Sequence, residues 1–188
     1  MRLAVFRRSR GRNLRIGVLF TYVEVKVPRR MSLVEAKRRV RKLLPRLVRD
    51  LRRARALFLR AMGLPLERRS TEELLTQFSE LLSRALAKLK IRGVRVSVSN
   101  RLRSAWASAI IKRREVKVSK LAAFLPKELL WYLAVHEACH FYSPSHDKAF
   151  WQCVEKVHPT YRQSKELMTL YSIKVKRVCE GLWTRSRS

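Results

Sequence analysis

The segment His136-Glu137-Ala138-Cys139-His140 constrains this chain more than any other, because it spells HExxH inside a stretch that reads as helix. Residues four apart on a helix share a face, so the two imidazoles can converge on one ion. Glu137 stands beside them, where a general base would be needed. With 4 His and 12 Glu in 188 residues, composition alone would produce the pattern in about one such sequence in two hundred. A third histidine, His146, follows just past Ser143-Pro144, where a turn can bring the chain back. Three protein ligands with one position open are the arrangement of a catalytic zinc site. The expected cofactor is therefore one Zn²⁺ per chain, with His136, His140 and His146 as metal ligands and Glu137 as catalytic base. The plainer alternatives are a pair of core histidines, a helix-capping His146 and a Glu137 buried against an arginine. Cys139 faces away from the histidine pair by helical phase and reads as a small buried hydrophobe, as do Cys153 and Cys179. His158, before Pro159, reads as a turn or surface residue, and Trp106, Phe150 and Trp151 read as core.

Charge is the second constraint. The chain has 44 Lys+Arg against 14 Asp+Glu, a formal net charge of +30. Residues 1–60 carry +17 of it, residues 61–120 +9 and residues 121–188 only +4. Arg outnumbers Lys 30 to 14, and the planar guanidinium pairs bidentately with phosphate. Self-repulsion on this scale calls for a polyanionic partner, for which nucleic acid, rRNA above all, is the expectation. The candidate contacts are Arg7, Arg8, Arg10, Arg12, Arg38, Arg41, Arg49, Arg52 and Arg53. A solvated basic surface is the plainer alternative. With 47% hydrophobic residues, a wholly disordered basic tail is excluded. No uncharged stretch approaches the ~20 apolar residues of a membrane span, and residues 1–12 lack a signal-peptide core. Three cysteines without CxxC spacing argue against a disulfide framework and for a reducing compartment, so the expected location is cytoplasmic. Scarce Asn and Gln beside abundant Arg and Glu fit a thermophile, although GC-biased codons give the same Arg excess.

Periodicity supplies the elements. Residues 12–28 alternate as a β-hairpin, with Leu14, Ile16 and Val18 in one arm and Val23, Val25 and Val27 in the other. Ser32-Leu-Val-Glu35 is a capping box opening a long basic helix that Pro45 is expected to kink or interrupt and Gly63 and Pro65 to end. Ser70-Thr-Glu-Glu73 opens a second helix to about residue 90. Strands are expected at 94–98, 105–111 and 115–119. Helices are expected at 126–142, 145–157 and 160–173. The order ββααβββααα is an α+β pattern: an N-terminal β-hairpin, a long basic helix, a small antiparallel sheet and an HExxH helix. It reads as a single domain over 1–183, with a basic region at 1–62, a metal-site region at 94–173 and a basic tail at 184–188.

The sequence resembles the small YgjP-type zinc metallopeptidases, relatives of the SprT-like and WLM groups. The resemblance runs through Trp106-Ala-Ser-Ala109, Leu125-Pro126, His136-Glu-Ala-Cys-His140, Ser145-His146-Asp147 and Phe150-Trp151. It extends to Arg7-Arg8-Ser9-Arg10, Val25-Lys-Val-Pro28 and the helix from Ser32. It implies a minimal zincin fold with His136, His140 and His146 as ligands and Glu137 as base. Ala107, Ala109, Ala138 and Ser145 depart from the family's usual Gly, Cys, Leu and Asn; none of these is a ligand or the base.

Three functions follow. The expectation is an RNA-bound, ribosome-associated zincin-fold protein with an intact HExxH…H site, its enzymatic activity left open. The alternatives are an active zinc peptidase acting on proteins at nucleic acid, as SprT-like proteases do, and a ribosomal protein with a structural or vestigial zinc.

Overall fold

The computed structural model describes residues 4–20, 22–102 and 104–185. Thr21 of the expected hairpin turn and residues 186–188 of the basic tail lie outside the described residues. The chain forms two compact units, Met1–Gly63 and Leu64–Ser188.

The first unit holds β1 (Ala4–Ser9), β2 (Arg15–Val18), β3 (Val23–Pro28) and α1 (Leu33–Met62). The expected hairpin is present as the antiparallel pair β2–β3, with Ile16 opposite Val25 and Val18 opposite Val23. Strand β1 was not expected. It pairs parallel with β3, from Ala4 opposite Val23 to Ser9 opposite Pro28, and makes β3 the central strand. Val23, Val25 and Val27 alternate along β3 and so share one face, which is buried. Ala36, Val40 and Leu47 of α1 join those valines in one core. The Ser32 side chain accepts the Glu35 N–H at 3.1 Å, as the capping pattern predicts. Pro45 does not interrupt α1, which runs unbroken for 30 residues. Proline removes the N–H that would reach the Arg41 carbonyl; both residues are exposed, so water can satisfy that carbonyl.

The second unit contains α2 (Thr71–Lys88), β4 (Arg95–Ser99), β5 (Ala107–Ile110), β6 (Glu115–Ser119), α3 (Lys127–Cys139), α4 (Lys148–Val157) and α5 (Tyr161–Arg185). Its sheet, in the order β4-β6-β5, is mixed rather than wholly antiparallel. β5 pairs antiparallel with β6, while β4 pairs parallel. The parallel pairing arises because β4 and β6 are joined across β5 and a turn of 3₁₀ helix instead of by a direct hairpin. Helix α5 continues well past the expected end at residue 173. α3 is the core element: Leu129, Leu130, Tyr132, Leu133, Ala134, Val135, Ala138 and Cys139 are all buried. A helix this apolar on every side belongs inside the unit. The polar groups it carries there, His136 and Glu137, therefore stand at a desolvation cost that a fold alone gives no reason to bear.

Candidate metal centre

Helix α3 sets the first two imidazoles. His136 lies in its last turn and His140 is its C-terminal cap, with ring centroids 5.1 Å apart. The chain then turns through Ser143-Pro144, and His146 comes back to both, with centroids 4.9 Å from His136 and 4.7 Å from His140. The Nε2 atoms of His136 and His146 are 2.9 Å apart. The nitrogens of the three residues lie within 4.8 Å of one another, so that this trio could hold a metal ion.

The return of His146 is built by Asp147. Its carboxylate accepts the Ser143 hydroxyl at 3.1 Å, the Ser145 hydroxyl at 3.0 Å and the Phe150 N–H at 2.9 Å. The last bond caps α4 and, with the hydroxyls, holds the Asp147 carboxyl below the ordinary carboxylate range. Helix α4 accordingly starts at Lys148 rather than at the expected residue 145, and Asp147, not His146, is the capping residue. Trp151 donates its indole N–H to the His146 carbonyl at 3.1 Å and stacks on the His146 ring. Phe150 is fully buried and touches all three imidazoles, with centroids 4.9, 4.6 and 4.7 Å from His136, His140 and His146. It forms an apolar floor under the trio.

Electrostatics favour the metal-binding form of His136 and His140. Burial, then the neighbouring His140, His146 and Lys165 charges, pushes the His136 pKa down to about 3. His140 is lowered too, chiefly by burial. Neutral imidazole is the form that ligates, and the buried Nδ1 of His136 has no hydrogen-bond partner. A set of three nitrogens with a position left over suits zinc, so the residues present fit the ion. Glu137 is 4% exposed, and burial raises its pKa to about 7 against the opposing hydrogen bond from the backbone at Ala109. A carboxyl with such a pKa can take and return a proton near neutrality.

The three histidines come together, and Glu137, next to His136 in α3, is buried. Cys139 and Cys153 are buried. His158 stays out of the trio, as expected, with Nε2 2.8 Å from the Ser164 hydroxyl. Trp106 is half-buried and donates to the Ser172 hydroxyl at 3.0 Å. The supporting roles of Asp147, Ser143, Phe150 and the Ala109 N–H were missed. Only Asp147 left a local signal, a capping residue three before Phe150. Because Ala109 meets Glu137 through its backbone, the departure from the family's usual cysteine leaves that contact intact.

The nine candidate arginines all lie in the first unit and all are exposed. Two have protein partners: Arg7 lies 3.6 Å from Glu24, and Arg8 donates to the Pro28 and Met31 carbonyls. Arg38, Arg41, Arg49, Arg52 and Arg53 fall within about one third of the circumference of α1, at 3.6 residues per turn. The buried Ala36, Val40, Leu47 and Leu51 lie on the opposite side.

An α+β unit with HExxH on a buried helix and a third histidine from the following turn defines a zincin-like metallopeptidase domain. The YgjP-like family, described as a YgjP-like metallopeptidase domain, matches residues 60–170, more than half the chain, and the chain belongs to that family. The family implies a metal. No curated protein matches the chain. Among solved structures, it is similar to the crystal structure of the metallopeptidase zymogen of Pyrococcus abyssi, abylysin. The identity is 26% over 50% of this chain and 94% of that one, with a TM-score of 0.46. Among the described residues no helix is long and apolar enough to cross a membrane.

Proposed function

We propose that this protein is a zinc-dependent peptidase in which His136, His140 and His146 hold one zinc ion and Glu137 is the general base. The convergence of three imidazoles, with a buried carboxylate at the position after His136 in α3, carries the reading. Zinc, when bound, supplies Lewis-acid polarisation and makes water acidic enough to lose a proton near neutral pH. Glu137 takes that proton on its carboxylate and returns it to the leaving amine nitrogen. The Ala109 backbone hydrogen bond fixes the carboxylate, and Phe150 and Trp151 pack against the imidazoles of His136 and His146. A purely structural zinc would have no use for a buried Glu137, which favours the catalytic reading over a vestigial one. The test is Glu137→Gln. The variant should keep about one zinc per chain by elemental analysis and lose about 10²–10⁴-fold in the rate of peptide hydrolysis. Unchanged hydrolysis would refute the assignment of the base.

A second reading rests on a different observation, the exposed arginine face of α1 opposite its buried face. We infer that the first unit docks the protein on RNA, with ribosomal RNA in the cytoplasm as the partner its charge fits best. Binding should weaken steeply as salt rises, because each neutralised phosphate releases counterions. Sedimentation with ribosomal subunits measures it; a protein that stays at the top of the gradient in low salt would rule the ribosome out.

A further inference from the structure

Cys139 and Cys153 are separated by the whole turn that carries His140 and His146, yet the structure places their Sγ atoms 2.6 Å apart. That is far inside the ~3.5–4.0 Å at which even carbon atoms rest against each other, and about 0.6 Å longer than the ~2.0 Å of a sulfur–sulfur bond, so the two are free thiols in close contact rather than a formed bond. Cys139 ends α3 and is fully buried; Cys153 lies in the middle of α4 and is 8% exposed. Both belong to one hydrophobic core with Phe150 and Val154, so the two sulfurs are aimed at each other by packing on both helices rather than by a mobile surface contact.

We propose that Cys139 and Cys153 form a disulfide that ties the HExxH helix to α4. The ring it closes contains His140 and His146, two of the three imidazoles, together with Asp147 that shapes the turn between them. The bond thus fixes the chain entering and leaving that turn whether or not a metal is bound. The oxidant is a small-molecule disulfide. One cysteine thiolate attacks it and releases one small thiol, and the second cysteine attacks the mixed disulfide and releases the other. In sum, two cysteine thiols and one small disulfide give one protein disulfide and two small thiols. Both sulfurs are buried once α4 docks, so the exchange belongs to the folding chain, and that burial is what would keep the finished bond from the thiols of the reducing compartment proposed above. All three cysteines are free thiols in this structure, and once the bond has formed Cys179, on α5, is the thiol that remains.

The experiment uses the full chain, both as purified without reductant and after refolding from denaturant in reduced and oxidised glutathione. Free thiols are alkylated under denaturing conditions and the digest is mapped by mass spectrometry. The expected result in at least one preparation is a fall from three alkylatable thiols to one, at Cys179, with a Cys139–Cys153 linked peptide that disappears on reduction. Three alkylated thiols in both preparations, or a link that involves Cys179, would overturn the proposal. The Cys179→Ser variant should keep the same linked peptide and show no free thiol.

Discussion

At the scale of single residues, the site depends on groups outside the histidine trio. Asp147 is the clearest. One carboxylate collects two hydroxyls and the N–H that opens α4, and His146 is the residue immediately before it. Removing the carboxylate leaves His146 in place in the sequence but no longer held in space. We expect Asp147→Ala to weaken zinc binding by about 10–100-fold, the usual cost of losing an orienting partner. Competition with a chromogenic chelator measures it, and an unchanged affinity would show that the turn holds itself. Asp147→Asn should fall between the two, since an amide keeps an acceptor oxygen for the α4 cap but not two. Of these residues, the sequence exposes those whose logic is local. HExxH is an i, i+4 relation on one helix, and His146 follows a Ser-Pro stop. Glu137 meeting the Ala109 N–H requires a strand and a helix far apart in the chain to be docked, and Phe150 lying under three rings requires the fold-back of α4 on α3; no periodicity records either.

At the scale of elements, capping chemistry was the most legible feature. Ser70 and Glu73 form the complete reciprocal box: the hydroxyl accepts the Glu73 N–H at 3.1 Å and the carboxylate accepts the Ser70 N–H at 2.6 Å. Ser70→Ala should cost about 1 kcal/mol in chemical denaturation at neutral pH. The Ser70 backbone and hydroxyl hold the Glu73 pKa below its ordinary 4.5. A carboxyl depressed in the folded state stabilises above its unfolded pKa and stops doing so as pH falls through the folded value. Glu73→Gln should therefore be less stable than the parent at pH 7, and the difference should close as the medium becomes acidic below pH 4.5. A gap that widens in acid would contradict the box. Strand β1 shows the opposite case. Arg7 and Arg8 spoil its alternation, and its partner β3 is reached in parallel across another strand, so nothing nearby in sequence marks it. The far half of α5 was hidden in a similar way, because Lys174, Lys176 and Arg177 interrupt the apolar spacing while the helix runs on.

At the scale of the whole molecule, the uneven charge coincides with the division into two units. The family match begins at residue 60, at the end of α1, so the arginine-rich unit lies almost wholly outside the region that defines the peptidase domain. The two proposed functions should then be separable by surface substitutions that leave both cores untouched. Replacing Arg38, Arg41, Arg49, Arg52 and Arg53 with Gln alters only exposed positions on one face of α1. Glutamine is a good helix former, so the helix itself should survive, as circular dichroism can verify. If each of these arginines neutralises one phosphate, the slope of log affinity against log salt should flatten by about 3.5–4.5 units, at roughly 0.7–0.9 per contact. The zinc content and the rate of peptide hydrolysis should stay at the level of the parent, because no residue of the metal centre lies in the first unit. An unchanged salt slope would mean that the face is only solvated surface. A loss of hydrolysis in a folded, zinc-loaded variant would mean that the basic unit takes part in handling the peptide substrate, and the division of labour argued from charge would give way to a single shared task.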